Sequence, residues 1–261
     1  MTVIDATKND HARNMVGETS MFGWRKRIGY ITPTVMELVP YEFYSFAPPG
    51  IGLVGVTCNI DDWKPTEYET GLAAVERSAR YLASRHVDFI IHGGAPLVTN
   101  RAPGYDKELV AHLEQLTGIP STTSIRTGIE SMEHMGMKRI VLVTPYPEAT
   151  NDKIIRSLNH YGFEVLHSAF YSVGFKDLQD VPPSQVYRYV IDAFAKAPDA
   201  DGVYMPCPQW ASGDILDTVE RDIGRPVISA TAAAFFTAFH RLRIRDAIRG
   251  HGRLLASLSD G

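Results

Sequence analysis

Three landmarks of this chain occur twice, in the same order. Tyr30-Ile31-Thr32-Pro33 is answered by Leu142-Val143-Thr144-Pro145, and Phe89-Ile90-Ile91-His92-Gly93-Gly94 by Val203-Tyr204-Met205-Pro206-Cys207. Gly118-Ile119-Pro120-Ser121-Thr122-Thr123 returns as Gly224-Arg225-Pro226-Val227-Ile228-Ser229, and the offsets run from roughly 106 to 113 residues. α/β chains do reuse strand–turn–helix grammar without duplication, but three landmarks in one order favour two similar halves. Short β-rich runs at 27–31, 52–56, 88–92, 139–144, 163–170, 202–205 and 226–229 alternate with helical spacings such as Leu109, Leu113, Leu116 and Ile125, Ile129, Met132. Thr66-Glu67-Tyr68-Glu69 reads as a capping box, and Gly136 and Gly162 stand where helices should end. Strand–helix alternation calls for parallel sheets with helices on their faces. Ligands of such sheets sit beyond the carboxyl ends of the strands. Two facing halves therefore line one cleft with the loops after Ile31, Ile91, Val143 and Tyr204.

At 261 residues the chain can bury a large core without staples. A net charge of -4 with no basic run leaves no footprint for nucleic acid. The longest weakly polar stretch, 230–239, stops at His240 and Arg241, short of the roughly 20 residues a membrane span needs. Two cysteines make no disulfide framework, and nothing at the start resembles a secretion signal, so a cytoplasmic setting is expected. Residues 1–24 read as a flexible tail, 25–120 plus 231–261 as the first half-domain, and 121–230 as the second.

Most common catalytic signatures are absent. Gly50-Ile51-Gly52-Leu53-Val54-Gly55 matches a dinucleotide fingerprint, but Pro48 and Pro49 precede it and a strand follows, where a helix is required. The nine histidines include no His-x-x-x-His pair, and there is no Gly-x-Ser-x-Gly elbow or Walker lysine loop. Cys207 stands out. It follows a strand between Pro206 and Pro208 and precedes a helix expected near Ser212, whose dipole would lower the thiol pKa. A free cysteine is also commonly a small buried hydrophobe; the flanking prolines favour a functional thiol, whereas Cys58 reads as structural. Tyr146, one residue beyond Thr144-Pro145, reads equally as a hydrogen-bond donor to a carboxylate or as a residue capping a helix entrance. His92 reads as structural, and the 171–177 loop as a lid or an ordinary surface loop.

Together, Gly29-Tyr30-Ile31-Thr32-Pro33, Gly93-Gly94, Thr144-Pro145-Tyr146 with Asn151, Asp199-Ala200-Asp201-Gly202 leading to Cys207, and the 224–229 segment resemble the aspartate/glutamate racemase superfamily. The likeness is strongest to its arylmalonate decarboxylase and maleate isomerase branch. It implies two pseudo-symmetric, doubly wound α/β half-domains, each with a mainly parallel four-stranded sheet, and an active site in the cleft between them. It also implies a small carboxylic-acid substrate, no cofactor, no metal, and room for a homo-oligomer. Racemases and isomerases of the superfamily carry a cysteine on each half; here the first position is Gly94 and the second Cys207. That Gly-plus-one-Cys pattern matches the decarboxylases, in which the lone cysteine protonates an enediolate left by loss of carbon dioxide. The resemblance assigns Thr32, Pro33, Gly94, Ala95, Trp63, Tyr68, Tyr146, Asn151, Lys176 and Pro208 to substrate binding, with Ile60, Trp63 and Tyr68 around the departing carboxylate. The chain departs from the decarboxylase pattern at Ala95 and Pro96, where hydroxyl residues are expected, and at Pro208, which has no N–H. Thr32, Tyr146, Thr99, Asn100 and Lys176 are the candidate replacement donors. The alternatives are a maleate isomerase- or racemase-like enzyme on the same scaffold, with His92 or a hydroxyl in place of the first cysteine, or a carboxylate-binding module without turnover.

Overall fold

The structure, a computed structural model, describes residues 22–260. The expected tail therefore lies outside the described residues as far as residue 21. Arg25, just beyond the expected tail, forms a two-pronged ion pair with Asp246 at 2.9 and 2.8 Å.

Eight strands run in chain order: β1 (Lys26–Thr32), β2 (Ile51–Thr57), β3 (Phe89–His92), β4 (Ser121–Thr123), β5 (Arg139–Thr144), β6 (Glu164–Phe170), β7 (Gly202–Met205) and β8 (Val227–Ser229). They form two four-stranded sheets with orders β2-β1-β3-β4 and β6-β5-β7-β8. Every pairing is parallel. The fold is thus α/β in two pseudo-symmetric halves, as the repeat requires. Residues of the central strands such as Ile28, Ile90, Val141 and Val203 are fully buried, as expected of strands covered on both faces. The helices are α1 (Leu38–Phe46), α2 (Pro65–Ser84), α3 (Ala95–Thr99), α4 (Tyr105–Thr117), α5 (Ser124–His134), α6 (Glu148–His160), α7 (Pro183–Phe194), α8 (Leu216–Ile223), α9 (Ala230–Arg241) and α10 (Gly252–Ala256).

The duplication reaches finer detail than the repeat landmarks. Asp88 accepts the backbone N–H of Arg27 at the start of β1 at 2.8 Å. Asp201 accepts those of Lys138 and Arg139 at the start of β5 at 2.8 and 2.7 Å. Those N–H groups, led by that of Arg139, hold the Asp201 carboxyl below the usual range. Each half thus opens its first strand with an aspartate borrowed from its third.

The expected capping box does not form. Helix α2 begins at Pro65, one residue earlier, and no side chain caps it. Proline at the first helical position has its φ already set and no N–H to leave unsatisfied.

The halves are joined by exchanged helices. Helices α5 and α9 start alike, with Thr123 accepting from the Arg126 N–H and Ser229 from the Ala232 N–H. They pack on each other, and each reaches the opposite sheet: α9 touches α1 and β3, and α5 touches β8. Phe235 of α9 meets Phe43 of α1 with ring centroids 4.6 Å apart. Helix α10 turns back to α8 and β8. Strand β4, though it follows the expected boundary at residue 120, belongs to the first sheet.

Gly128 marks where this exchange is tightest. A β-carbon there would overlap the buried phenol of Tyr204 on β7. Gly128→Ala gains about 1 kcal/mol of helix propensity and loses about 1–3 kcal/mol to overpacking. Net destabilisation is expected, read as a lower urea midpoint at unchanged slope. Among the described residues, no helix is long and apolar enough to cross a membrane.

Candidate active site

Strand-end loops from both halves close around one cavity. The first half contributes Thr32, Pro33 and Thr34 after β1, and Gly94, Pro96 and Leu97 after β3. The segment entering α2 adds Ile60, Trp63 and Tyr68. The second half contributes Tyr146 after β5, then Cys207, Pro208 and Gln209 after β7. A 3-10 turn, Phe175–Asp180, supplies Phe175 and Leu178. The walls are almost wholly apolar, and no cation lines them among the described residues. The free space is narrow: about 30 Å³ open to the centre of a water-sized sphere, room for roughly two waters.

Gly94 stands across from the cysteine loop with φ at +83°, and a β-carbon would sit 2.7 Å from Pro33 Cγ. The backbone conformation and the proline ring together select glycine at this position.

Cys207 is 3 % exposed. Burial pushes its thiol up to about 12. The Gln209 N–H and the Tyr146 hydroxyl favour the thiolate and oppose this rise, nearby Glu42 adds to it, and the Trp210 N–H opposes it. This corrects the sequence expectation. Helix α8 begins at Leu216, nine residues beyond Cys207 rather than near Ser212, so its first turn does not follow directly on the sulfur. Burial therefore favours the thiol over the thiolate at neutral pH.

Tyr146 is buried and donates its hydroxyl to Pro206 O at 3.0 Å. Burial, then the neighbouring sulfur, keeps it a neutral phenol. The Tyr68 hydroxyl meets Thr150 Oγ1 at 3.3 Å, joining the halves beneath the cavity. Trp63 closes the top. Its indole N–H donates to Val173 O at 3.3 Å, and its ring meets Tyr146 and Phe175 edge-on at 5.3 and 4.5 Å. The 171–177 loop therefore contributes cover to the cavity through Phe175.

Three residues assigned to substrate contact lie elsewhere. Asn151 is buried in the scaffold, accepting from Thr144 Oγ1 at 2.9 Å and donating to Ser168 Oγ at 2.5 Å. Ala95 is fully buried without lining the cavity. Lys176 pairs with Asp61 at 3.4 Å, its side chain 74 % exposed, and lines an adjoining recess that shares Thr34, Ile60, Phe175 and Gln209 with the cavity. Two proposed donors are engaged as well: Thr99 donates to Ala95 O, and Asn100 accepts from Lys153. His92 does not line the cavity, and burial lowers its pKa to about 4, so it is neutral. Thr32, Pro33, Gly94, Trp63, Tyr68, Tyr146, Cys207 and Pro208 do converge. Sequence reasoning missed Thr34, Leu97, Leu178 and Gln209. Thr34 and Gln209 were reachable by extending each strand-end loop by one residue, whereas the two leucines carry no signal that separates a cavity wall from a core.

The pattern of the family described as arylmalonate decarboxylase matches residues 28–255. The arylmalonate decarboxylase of Bordetella bronchiseptica is 26% identical over 218 residues, covering 81% of this chain and 88% of that protein. The maleate isomerase of Geobacillus stearothermophilus is 24% identical over 228 residues, covering 85% and 87%. In fold, a maleate isomerase from Pseudomonas putida S16 with maleate superposes with a TM-score of 0.84 at 20% identity, covering 88% of this chain and 97% of that one. A double mutant of arylmalonate decarboxylase in liganded form gives 0.83 at 23% identity, covering 88% and 98%. The relatives are lyases and isomerases, and the family pattern spans both halves and every loop that meets in the cavity: the chain belongs to the arylmalonate decarboxylase family.

Proposed function

We propose that this protein is a cofactor-independent decarboxylase of a small, disubstituted malonate-type acid, with Cys207 as the proton donor. The observation that carries this reading is one protonated thiol in an apolar cavity opposite a glycine. One carboxylate of the substrate rests among Ile60, Tyr68 and Leu97, where no cation stabilises it. Loss of carbon dioxide there removes a charge from an apolar environment, so the step is favoured where the ground state is poorly solvated. The C–C bonding pair passes to the remaining carboxyl group as an enediolate. Cys207 gives its proton to the α-carbon, the sulfur is left as a thiolate, and water reprotonates it. The hydroxyls of Thr32 and Thr34 are the donors that remain near the developing charge once Ala95, Pro96 and Pro208 offer none and the Tyr146 hydroxyl is given to Pro206 O. The free space holds only about two waters, so a substituted malonate enters as the walls yield, with Trp63 and Phe175 the aromatic residues that cover it.

The maleate isomerase reading draws on the comparably close likeness to those enzymes. One solved neighbour, from Nocardia farcinica, carries a covalently bound succinylcysteine intermediate. A thiol raised to about 12 is a poor nucleophile at neutral pH, and Gly94 supplies no second sulfur, so the decarboxylase reading is favoured.

The test is a panel of 2-substituted malonates with EDTA present, followed by carbon dioxide release, alongside proton NMR of maleate in heavy water. Release from a malonate with maleate unchanged is expected; fumarate formation without release would overturn the reading. The pH profile adds a sign. A thiol raised to about 12 stays almost wholly protonated up to about pH 10, so kcat should stay level from pH 7 to about 10. A fall centred near 8.5, the ordinary thiol value, would contradict an acid held in this cavity.

A further inference from the structure

A buried acid from the other half grips the cysteine loop. Glu42, on α1 of the first half, is 2 % exposed. Its Oε1 accepts the backbone N–H groups of Ser212 and Gly213 at 2.6 and 2.7 Å and faces the Ser212 hydroxyl at 3.3 Å. Those residues end the loop that starts at Cys207. A weaker tether, from Gln209 Nε2 to Val35 O at 3.0 Å, ties the middle of the same loop to the first half. The loop's other ties are the Tyr146 hydroxyl on Pro206 O at 3.0 Å, the Ile215 N–H on Ser212 O at 3.1 Å and His251 Nδ1 beside Gly213 O at 3.4 Å, while Pro206 and Pro208 donate no backbone hydrogen bond.

We propose that Glu42 is a positioning residue for Cys207: its carboxyl, reaching across the cleft to adjacent N–H groups, sets how far the thiol projects toward Gly94. This rests on the reading of Cys207 as the acid. Two neighbouring N–H groups aimed at one oxygen fix both distance and direction, so the register of the loop depends on the length of this side chain. The second oxygen, Oε2, makes no hydrogen bond of ordinary geometry among the described residues, and burial favours the neutral form of the group against the opposing pull of the Gly213 and Ser212 N–H groups and the Thr231 hydroxyl. A glutamine, whose Oε1 accepts the same two N–H groups, should therefore keep the clasp. The titratable groups around the sulfur are Tyr30, Tyr146 and Glu42.

Two readouts test this. The first is the rate and pH dependence of Cys207 alkylation by iodoacetamide in a Cys58→Ser background; it needs no turnover. Glu42→Ala is expected to raise the rate at pH 8 at least tenfold as the loop loosens, and Glu42→Gln to stay within about threefold of the parent. The second is carbon dioxide release from 2-methyl-2-phenylmalonate. Glu42→Ala should lose on the order of 10²-fold in kcat with KM little changed, Glu42→Gln should restore most of it, and Glu42→Asp, one methylene shorter, should fall between. If Glu42→Ala does not fold, the Asp and Gln variants carry the comparison. Parent-like alkylation and kcat in Glu42→Ala, or in Glu42→Asp where Ala does not fold, would overturn the proposal. So would a Gln variant as impaired as Ala, since charge rather than reach would then be what matters. Full turnover in Cys207→Ser would instead defeat the reading of the cysteine and leave the alkylation result standing.

Discussion

Cys207→Ser is expected to lower kcat for carbon dioxide release by about 10³-fold, within the 10²–10⁴ that a positioned general acid contributes. Serine nearly matches the thiol in size, so packing against Tyr146 and Pro208 survives and the melting temperature should move little. What is lost is acidity: an alcohol gives up its proton far less readily than a thiol, even one whose release burial has made harder. Substitution is not expected from elsewhere in the protein. Cys58 is the other cysteine, is buried, and interacts with Ser78 and Arg77 away from the cavity. A variant with turnover within tenfold of the parent, at unchanged melting temperature, would remove Cys207 from the mechanism.

Tyr146→Phe carries the second largest effect, a loss on the order of 10² in kcat. The phenol lies beside the sulfur and donates to Pro206 O, so it serves both the loop geometry and the charge that develops next to it. Phenylalanine keeps the edge-on contact with Trp63 while deleting the hydroxyl. The direction of the accompanying shift follows from the hydroxyl's place beside the sulfur, where it can turn from Pro206 O to a thiolate. Tyr146 favours the thiolate and so lowers the Cys207 pKa; its removal should raise it further, slowing alkylation at any fixed alkaline pH. Faster alkylation in the Phe variant would mean that the hydroxyl shields the sulfur rather than stabilising its anion.

These two variants separate the chemistry from the frame that holds it. Cys207 and Tyr146 sit on loops after β7 and β5 of the second half, while Gly94, Trp63 and Glu42 come from the first. Helices α5 and α9, exchanged between sheets, keep those loops facing each other. Substitutions at the exchange, such as Gly128→Ala, should act on stability before they act on the cavity.

Much of this arrangement was readable from residue order alone. Strand positions follow from runs such as Ile140, Val141, Leu142 and Val143, whose burial on both faces fits a parallel, covered sheet. The pairing of halves followed from the repeated landmarks, and the cleft from the rule that parallel sheets bind beyond their carboxyl ends. Cys207 and Tyr146 were visible because they sit one or two residues past such ends, where the backbone leaves the sheet and side chains turn toward the opening. Local sequence therefore specified which elements form, and which ends of them meet. It did not specify side-chain environment, because that depends on groups distant along the chain. Asn151 and Lys176 occupy suggestive positions, yet one is consumed by Thr144 and Ser168 and the other by Asp61. The protonation state of Cys207 came out opposite to expectation for the same reason: it depends on desolvation by both halves, not on the start of the next helix. Glu42, 165 positions before Cys207, gave no signal at all. Only when the two halves close does its carboxyl meet the N–H groups of Ser212 and Gly213, since hydrogen bonding and burial act through space while sequence patterns report only near neighbours.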